Sequence, residues 1–238
     1  FDFLSVTYGR NWELNPYHFD LDFSPNPGSE SKIFQTQESR GQEFRFSSIE
    51  GGVWDWAAGA AYGDSEVQGN TTRSFFIPLP PQFGGGFAPV TTTTDYSLNE
   101  ESYSLFGQLT YNGIDSIGIH FGLRGDQYDK SLIRSAFGLS GPVPNINESA
   151  DYSFISPRAG IDFELSDSSL IYVNSGIAYK PGGYSAFIDN PQLAQFNEEQ
   201  SWTKEIGLKK RWLDDKVRTN FSIFHNNIDD YQVERSLV

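Results

Sequence analysis

Residues 153–184, SFISPRAGIDFELSDSSLIYVNSGIAYKPGGY, contain two successive runs in which apolar and polar side chains alternate. In the first, Ile155, Ala159, Ile161, Phe163 and Leu165 are interleaved with Ser156, Arg158, Gly160, Asp162 and Glu164. In the second, Ile171, Val173, Ile177 and Tyr179 share one side of 169–179. A period of two defines a strand with one apolar and one polar face. Ser166, Asp167 and Ser168 between the runs leave room only for an antiparallel hairpin. Each run is about 11 residues, roughly twice an ordinary globular strand and the length of a tilted strand crossing a bilayer.

A mean hydropathy of -0.46 does not conflict with this. A membrane barrel shows lipid only every second residue, so a polar average is expected of it. No stretch approaches the ~18 apolar residues of a membrane helix. The aromatic content is high, 16% with 20 Phe and 12 Tyr, more than a soluble core requires. There is no Cys, which removes disulfides and thiolate metal sites. A net charge of -14 argues against a nucleic-acid surface and fits acidic loops in water.

The same pattern recurs along the chain. Residues 3–8 form a short strand, followed by a polar, Pro-containing loop over 10–41. In 42–49, Phe44 and Phe46 alternate with Glu43, Arg45 and Ser47. Glu50, Gly51 and Gly52 turn the chain into 53–62, where Trp54, Trp56, Ala58, Ala60 and Tyr62 share a face. Residues 63–101, with FIPLPPQFGGGFAPV and TTTT, are expected to be a long loop without a regular ladder. Residues 102–111 place Tyr103, Leu105, Gly107, Leu109 and Tyr111 together, and 116–126 set Ile117, Ile119, Phe121 and Leu123 against His120, Arg124 and Asp126. Residues 127–152 and 180–201 read as further loops, and 202–212 with 217–229 as the last hairpin. The connections thus alternate between short and long, which is the pattern of an outer-membrane barrel with short periplasmic turns and long extracellular loops.

Energetics assign the faces. A Lys or Arg facing lipid at mid-depth costs about 2–4 kcal/mol, falling towards zero at the interfaces. Arg124, Arg158 and Glu164 are therefore assigned to the lumen and their apolar neighbours to lipid. A one-residue slip would reverse them all. On this register Leu123→Arg should impair folding into bilayers and Gly122→Arg should be tolerated. Tyr62, Tyr103, Tyr111, Trp202 and Trp212 lie near strand ends, where amphipathic rings favour the interface. Lys204 and Lys210 fall on the lipid-facing set, near strand ends from which they can snorkel. Nine strands is an odd number, and bacterial single-chain barrels close with an even one. The chain also opens inside a strand, without a leader, so it is expected to be a piece of a longer protein.

Several motifs in order carry a family resemblance: GQEFRFSS, WDWAAGAAY, SLFGQLTY, IGIHFGLRGDQYD, the 153–184 stretch, and KEIGLKKRWLDDKVRTNFSIFHNNIDDYQ. Over about 42–235 the chain resembles the middle barrel of TonB-dependent outer-membrane receptors, and the first forty residues fit only as strand plus loop. In that family successive hairpins read Gly-Leu-Arg-Tyr-Asp, Ser-Pro-Arg, Gly-Tyr-Lys-Pro-Gly-Gly and Glu-Ile-Gly-Leu-Lys. Here Arg124 and Asp126, with Gly125 between them, match the first. Ser156, Pro157 and Arg158 match the second, Tyr179 to Gly183 the third, and Glu205 to Lys209 the fourth.

The resemblance implies an all-β fold: an antiparallel transmembrane β-barrel fragment of about nine strands from a 22-stranded barrel that encloses a folded plug. It implies a receptor in the bacterial outer membrane that binds a scarce nutrient, most often a ferric siderophore. Import is driven by periplasmic TonB acting on the plug through the TonB box. Residues 1–238 are then a partial barrel domain, with plug and C-terminal strands outside them. The implied partners are TonB, a small ferric chelate, and outer-membrane lipid and lipopolysaccharide. No cofactor, nucleic acid or enzymatic activity is expected.

Candidate ligand contacts are Arg124, Arg158, Lys180, Tyr184, Glu205, Lys209 and Arg211. For the 179–184 loop the plainer role is terminating a strand. For the lumen charges, Glu164 among them, it is mutual ion pairing across neighbouring strands. His18, His120 and His225 form no metal-ligand pattern. Asp20 with Asp22, and Asp229 with Asp230, can attract a divalent cation but are by default solvated loop carboxylates. Asn147-Glu148-Ser149 is a glycosylation sequon by pattern only, and Gly84-Gly85-Gly86 lacks the strand-to-helix setting of a phosphate loop. Two other function classes remain in view. A passive porin would share the turns and aromatic girdles, and an outer-membrane hydrolase would need a nucleophile and base around His120 without a Gly-x-Ser-x-Gly to support it.

Overall fold

The computed structural model describes residues 1–20, 23, 28–49, 51–188 and 190–233. Asp22 and Glu50 of the sequence reading lie outside the described residues. The strands are β1 (Asp2–Asp20), β2 (Ser29–Ser47), β3 (Trp54–Pro78), β4 (Phe87–Ile114), β5 (Ile117–Gly138), β6 (Gly141–Ser166), β7 (Ser169–Lys180), β8 (Gly183–Tyr184), β9 (Gln195–Phe196), β10 (Glu199–Trp212) and β11 (Val217–Asp229). Nine of them form one antiparallel meander in the order β1-β2-β3-β4-β5-β6-β7-β10-β11. The small β8–β9 pair and the one-turn helix α1 (Pro191–Ala194) interrupt the connection from β7 to β10.

The register confirms the two faces. One unbroken cross-strand row runs Trp54, Tyr111, Ile119, Ile161, Val173, Ile206, Ile223. Its neighbour is Asp55, Thr110, His120, Gly160, Asn174, Glu205, Phe224. The first is the lipid-facing row, with Ile206 51% and Ile223 62% exposed on the isolated wall. Two aromatic pairs on β3 and β4 mark its edges: Trp54 against Tyr111, ring centroids 4.5 Å apart, and Tyr62 against Tyr103, 5.2 Å apart. Eight residues of strand, about 26 Å before tilt, separate them, comparable to the ~25 Å apolar band of such barrels. The lipid-facing lysines reach towards opposite edges of this band. Lys204 Nζ lies 3.6 Å from the Trp202 ring centroid and Lys210 Nζ 4.0 Å from that of Trp212, so each charge gains a cation–π partner as it snorkels.

Three segments expected as loops are strands instead. β1 runs 19 residues where 3–8 was expected, and β2 begins at Ser29 within the expected 10–41 loop. The 63–101 segment carries a continuous ladder from Gly63↔Ser102 to Pro78↔Phe87. The 127–152 stretch is likewise paired, with only Leu139 and Ser140 between β5 and β6. Beyond the lipid band water reaches both faces, so the apolar–polar period vanishes while the ladder persists. The threonines of TTTT suit it, with Thr71↔Thr94 and Thr72↔Thr93 facing each other across strands. Pro89 is tolerated because β4 pairs with β5 only from Thr93 onward, leaving Pro89 on an edge. Gly84, Gly85 and Gly86 all have positive φ, at 95°, 66° and 86°, and turn the β3–β4 tip after a short 3-10 turn at Pro81–Phe83.

One proline divides the wall. β6 pairs with β5 along nearly its whole length, but with β7 only from Ser166↔Ser169 to Arg158↔Gly176. The next residue is Pro157, which has no N–H to donate. Above it β7 continues with β10 alone, from Ile177↔Trp202 to Lys180↔Glu199, so a seam opens between β6 and β7.

Gly122 does face the lumen, but the Arg158 side chain lies across it, 2.4 Å from where a Cβ would stand. Arginine there would collide with Arg158, so Gly122 is a poor test of the register. Val173 and Asn174 are better, being adjacent on β7 with Asn174 opposite Glu205. Val173→Arg is expected to cost about 2–4 kcal/mol of bilayer-folded stability and Asn174→Arg close to none, measured by denaturant titration in vesicles. Equal costs would overturn the register.

Candidate functional site in the barrel lumen

The lumen-facing rows carry a polar network fixed to the wall. His120 on β5 bridges its two neighbouring strands, with Nε2 2.7 Å from Asp162 Oδ2 on β6 and Nδ1 3.1 Å from Thr110 Oγ1 on β4. Arg124 Nε donates to both Asp126 oxygens, at 2.9 and 3.0 Å, and its Nη2 to Ser104 Oγ at 2.7 Å. Its guanidinium also lies 5.7 Å from the Phe106 ring centroid. Arg158 donates to Gln108 on β4 across the gap left by Gly122. Tyr172 OH donates to Glu205, and Lys209 Nζ sits 5.0 Å from the Tyr172 ring centroid. Arg211 reaches the short-turn end, bonding the Asp167 carbonyl and, at 3.2 Å, Asp215.

Of the predicted contacts, the structure brings Arg158, Glu205 and Lys209 around one shallow lumenal concavity of about 580 Å³, which His120 and Asp162 also line. Arg124 stands apart in its Asp126–Ser104 clamp, and Arg211 holds a turn. The expected mutual pairing among the lumen charges takes a different form. Arg124 pairs with Asp126, Arg158 with Gln108, Glu205 with Tyr172 and Arg211 with Asp215, none of these partners being in the candidate set. Lys180 ends β7 opposite Glu199. Tyr184 is not presented to the lumen: it is 8% exposed. Among the described residues no three His, Cys, Asp or Glu side chains gather to hold a metal.

Tyr184 belongs to a cluster that sequence reasoning missed. It packs with Ala186 and Ala194 of the 181–198 connection against Tyr96, Leu132 and Ile146 on the lumen-facing side of β4, β5 and β6. The connection therefore folds inward and lines the wall. Arg134, 1% exposed, donates to the Ile188 carbonyl. Phe187 meets Tyr96 edge-on at 5.4 Å and lies under Arg73 at 5.5 Å. Tyr96 can lie flat because its cross-strand partner is Gly69, where a Cβ would stand 2.3 Å from the ring, and its OH donates to Gln35 Oε1 at 3.1 Å. The connection also covers the seam above Pro157, through Tyr152 OH to the Phe196 carbonyl at 3.4 Å and the stack of Phe154 on Tyr179 at 4.8 Å. The wall residues of this cluster lie in segments whose alternation water on both faces had erased.

A nine-stranded antiparallel meander with one apolar and one polar face defines a fragment of the wall of a large β-barrel. The family model "TonB dependent receptor-like, beta-barrel" matches residues 1–238, and the chain belongs to that family. The match includes the first forty residues, which the sequence motifs did not reach. Among solved structures the chain is similar to FyuA, the ferric yersiniabactin uptake receptor of Yersinia pestis, at 18% identity and a TM-score of 0.82, covering 97% of this chain and 34% of that one. It is similar to the siderophore receptor PiuA of Acinetobacter baumannii at 15% identity and TM-score 0.70, covering 93% and 37%. For the ferric citrate transporter FecA the values are 16% and 0.64, covering 95% and 32%. The chain thus spans about a third of the length of these proteins, and at such identities the likeness is one of fold.

Burial pushes the phenols of Tyr96 and Tyr184 above their ordinary value of 10.0. A released connection would ionise first as pH rises. The packing free energy is therefore whole below pH 10 and declines above it. Tyr184→Ala is expected to remove about 3 kcal/mol of that packing. Limited proteolysis in detergent should then cut within 181–198 while the strands stay intact, as should the unmodified protein well above pH 10. Cleavage no faster than in the unmodified protein at neutral pH would contradict the docked connection.

Proposed function

We propose that the chain is part of the barrel of an outer-membrane receptor that imports a scarce nutrient, a ferric siderophore or similar iron complex, through a plugged lumen. The observation that carries this reading is the family match over the whole chain, which joins the wall and its lumenal network to the TonB-dependent receptors. The three solved structures are named for ferric yersiniabactin, a siderophore and ferric citrate, which supports iron-complex import as the class. The parent protein then carries a plug and further strands outside these residues, with TonB as its periplasmic partner. The 181–198 connection lines the extracellular half of the lumen, where an arriving ligand first meets the wall. Arg158, Glu205 and Lys209 lie deeper, at the level a plug occupies.

The hydrolase alternative would draw on Thr110, His120 and Asp162, which line up as hydroxyl, imidazole and carboxylate. The backbone around them is committed to the β4–β5 and β5–β6 ladders, which leaves no paired N–H groups to hold an oxyanion. Import is the better-supported reading.

The parent barrel should weigh about 65 kDa, scaling nine strands of 26.7 kDa to 22, and more with its plug. A strain lacking the parent gene is expected to lose growth on at least one ferric chelate under iron limitation, and the purified parent to conduct no steady current in planar bilayers. A source protein of 26.7 kDa, or an open ohmic channel, would sink the reading and favour an assembled porin.

A further inference from the structure

The 181–198 connection leaves the wall at a neck where three strands meet. β7 ends at Lys180 and β10 begins at Glu199, which face each other, and β11 ends at Asp229 opposite Gln200. Pro181 follows Lys180 and has no N–H with which to extend the β7–β10 ladder. Beyond it, Gly183↔Phe196 and Tyr184↔Gln195 form a sheet of their own, separate from the nine-stranded one. The Pro181 and Asn197 carbonyls fall in the interruption, and one side chain bonds both. Gln232, past the end of β11, donates from Nε2 to the Pro181 carbonyl at 3.1 Å and to the Asn197 carbonyl at 2.8 Å. Its backbone N–H donates to Glu199 Oε2 at 2.8 Å. Gly182 lets the neck close, because a Cβ there would run into the Phe196 carbonyl and the Tyr152 ring. Two stretches of sequence thus meet: Tyr179 to Gly183, which alone read as a strand terminator, and Asp229-Asp230-Tyr231-Gln232, the tail of the last hairpin.

We infer that Gln232 is a positioning residue for import: its amide sets the angle at which 181–198 enters the lumen, and with it the place of Phe187. The argument is one of leverage. At the far end Tyr184, Ala186 and Ala194 pack on Tyr96, Leu132 and Ile146, joined by the Arg134 bond to the Ile188 carbonyl. Apolar packing is non-directional, so it holds the connection to the wall without by itself choosing an angle. Hydrogen bonds are directional. An amide whose Nε2 serves carbonyls on both legs of the neck holds those legs at one separation. A hydroxyl has a single donor and a carboxylate none, so serving both carbonyls takes an amide or a cation. Phe187, about half exposed with its edge on Tyr96, is carried by the legs so held. The same bonds tie the connection to the exit of β11, so a displacement of either is felt by the other.

The positional statement rests on the docked connection, and its consequence for capture on the import reading. The test uses the full receptor, first in detergent and then in cells. Spin labels at Leu193→Cys on α1 and Asn99→Cys on β4, both exposed positions, report their separation by pulsed electron resonance. Gln232→Ala, Gln232→Glu and Gln232→Lys are compared, each checked for the heat-resistant electrophoretic form of a folded barrel. Gln232→Glu keeps the shape and loses the donors, whereas Gln232→Lys changes the shape and keeps them. A single narrow distance is expected for the unmodified receptor and for Gln232→Lys, and a broad distribution for the other two. In cells, radio-iron uptake is measured with ferric citrate, ferrioxamine B and ferric enterobactin. For whichever chelate the unmodified receptor imports, Gln232→Glu is expected to raise KM about tenfold with Vmax unchanged, because the arriving ligand meets the connection and the energised step does not. Narrow distances in both Gln232→Ala and Gln232→Glu, or Gln232→Lys as broad as Gln232→Ala, would overturn the inference, as would a fall in Vmax at constant KM. Uptake of none of the three chelates counts against the import reading, and the distance comparison still decides the role of Gln232.

Discussion

Inside hydrocarbon there is no water to bond a stray N–H or C=O, so every peptide group of a spanning strand must find its partner in the wall. That requirement fixes the ladders of the nine-stranded sheet, and with them which side chains see lipid. Because side chains alternate, the register that bonds Val173 to Ile206 and Ile206 to Ile223 also sets Asn174, Glu205 and Phe224 on the lumen side. The placement of His120 between Thr110 and Asp162, and of Arg158 over Gly122, is a consequence of the same pairing. Chemistry in the lumen is therefore inherited from a constraint that acts on the backbone.

The hydrocarbon constraint also explains what could be read from sequence. Where one face meets lipid, polarity alternates, and the nine spanning strands, their short turns and their two faces were all legible. Trp54, Tyr111, Tyr62 and Tyr103 showed where that regime ends. Beyond the aromatic belt the solvent no longer distinguishes the faces, so Thr71 to Pro78 and Thr91 to Glu101 carry no period even though they pair residue for residue. Composition misled there: Pro80, Pro81 and Gly84 to Gly86 turn one tip, while Pro89 lies on a strand edge and the threonines nearby stand in cross-strand pairs. For the site, parity placed Arg124, Arg158, Glu205 and Lys209 in the lumen, but their partners depend on which strand lies opposite, which no local pattern encodes. The inward-folded connection was invisible for the same reason, since Tyr184, Ala186 and Ala194 are neighbours of Tyr96, Leu132 and Ile146 only in three dimensions.

Pro157 links the two regimes. Within the spanning part β6 is bonded on both sides, and a residue without an N–H is affordable only at the point where the second partner leaves. Above it the wall gives up one ladder, and the gap is covered by side chains: Phe154 on Tyr179, and Tyr152 on the Phe196 carbonyl. The 181–198 connection that supplies this cover also lines the lumen. The same substitution of packing for backbone pairing that relieves the seam brings a loop inward to a place where it can meet a solute.

Responsiveness to a ligand should be sought among groups with freedom left to move. Arg124 shares its donors between Asp126 and Ser104, and Arg211 bonds within a turn, so the geometry of both is fixed by the wall. Lys209 is held more loosely, by the face of Tyr172, and faces open lumen. Phe187 is different again, about half exposed while its edge rests on Tyr96 and Arg73 lies over its face. Charges already satisfied by their own strands have little left to offer a second partner. The division between clamped arginines and loosely held lysine and aromatic groups thus separates side chains fixed by their own strands from those with freedom left to move.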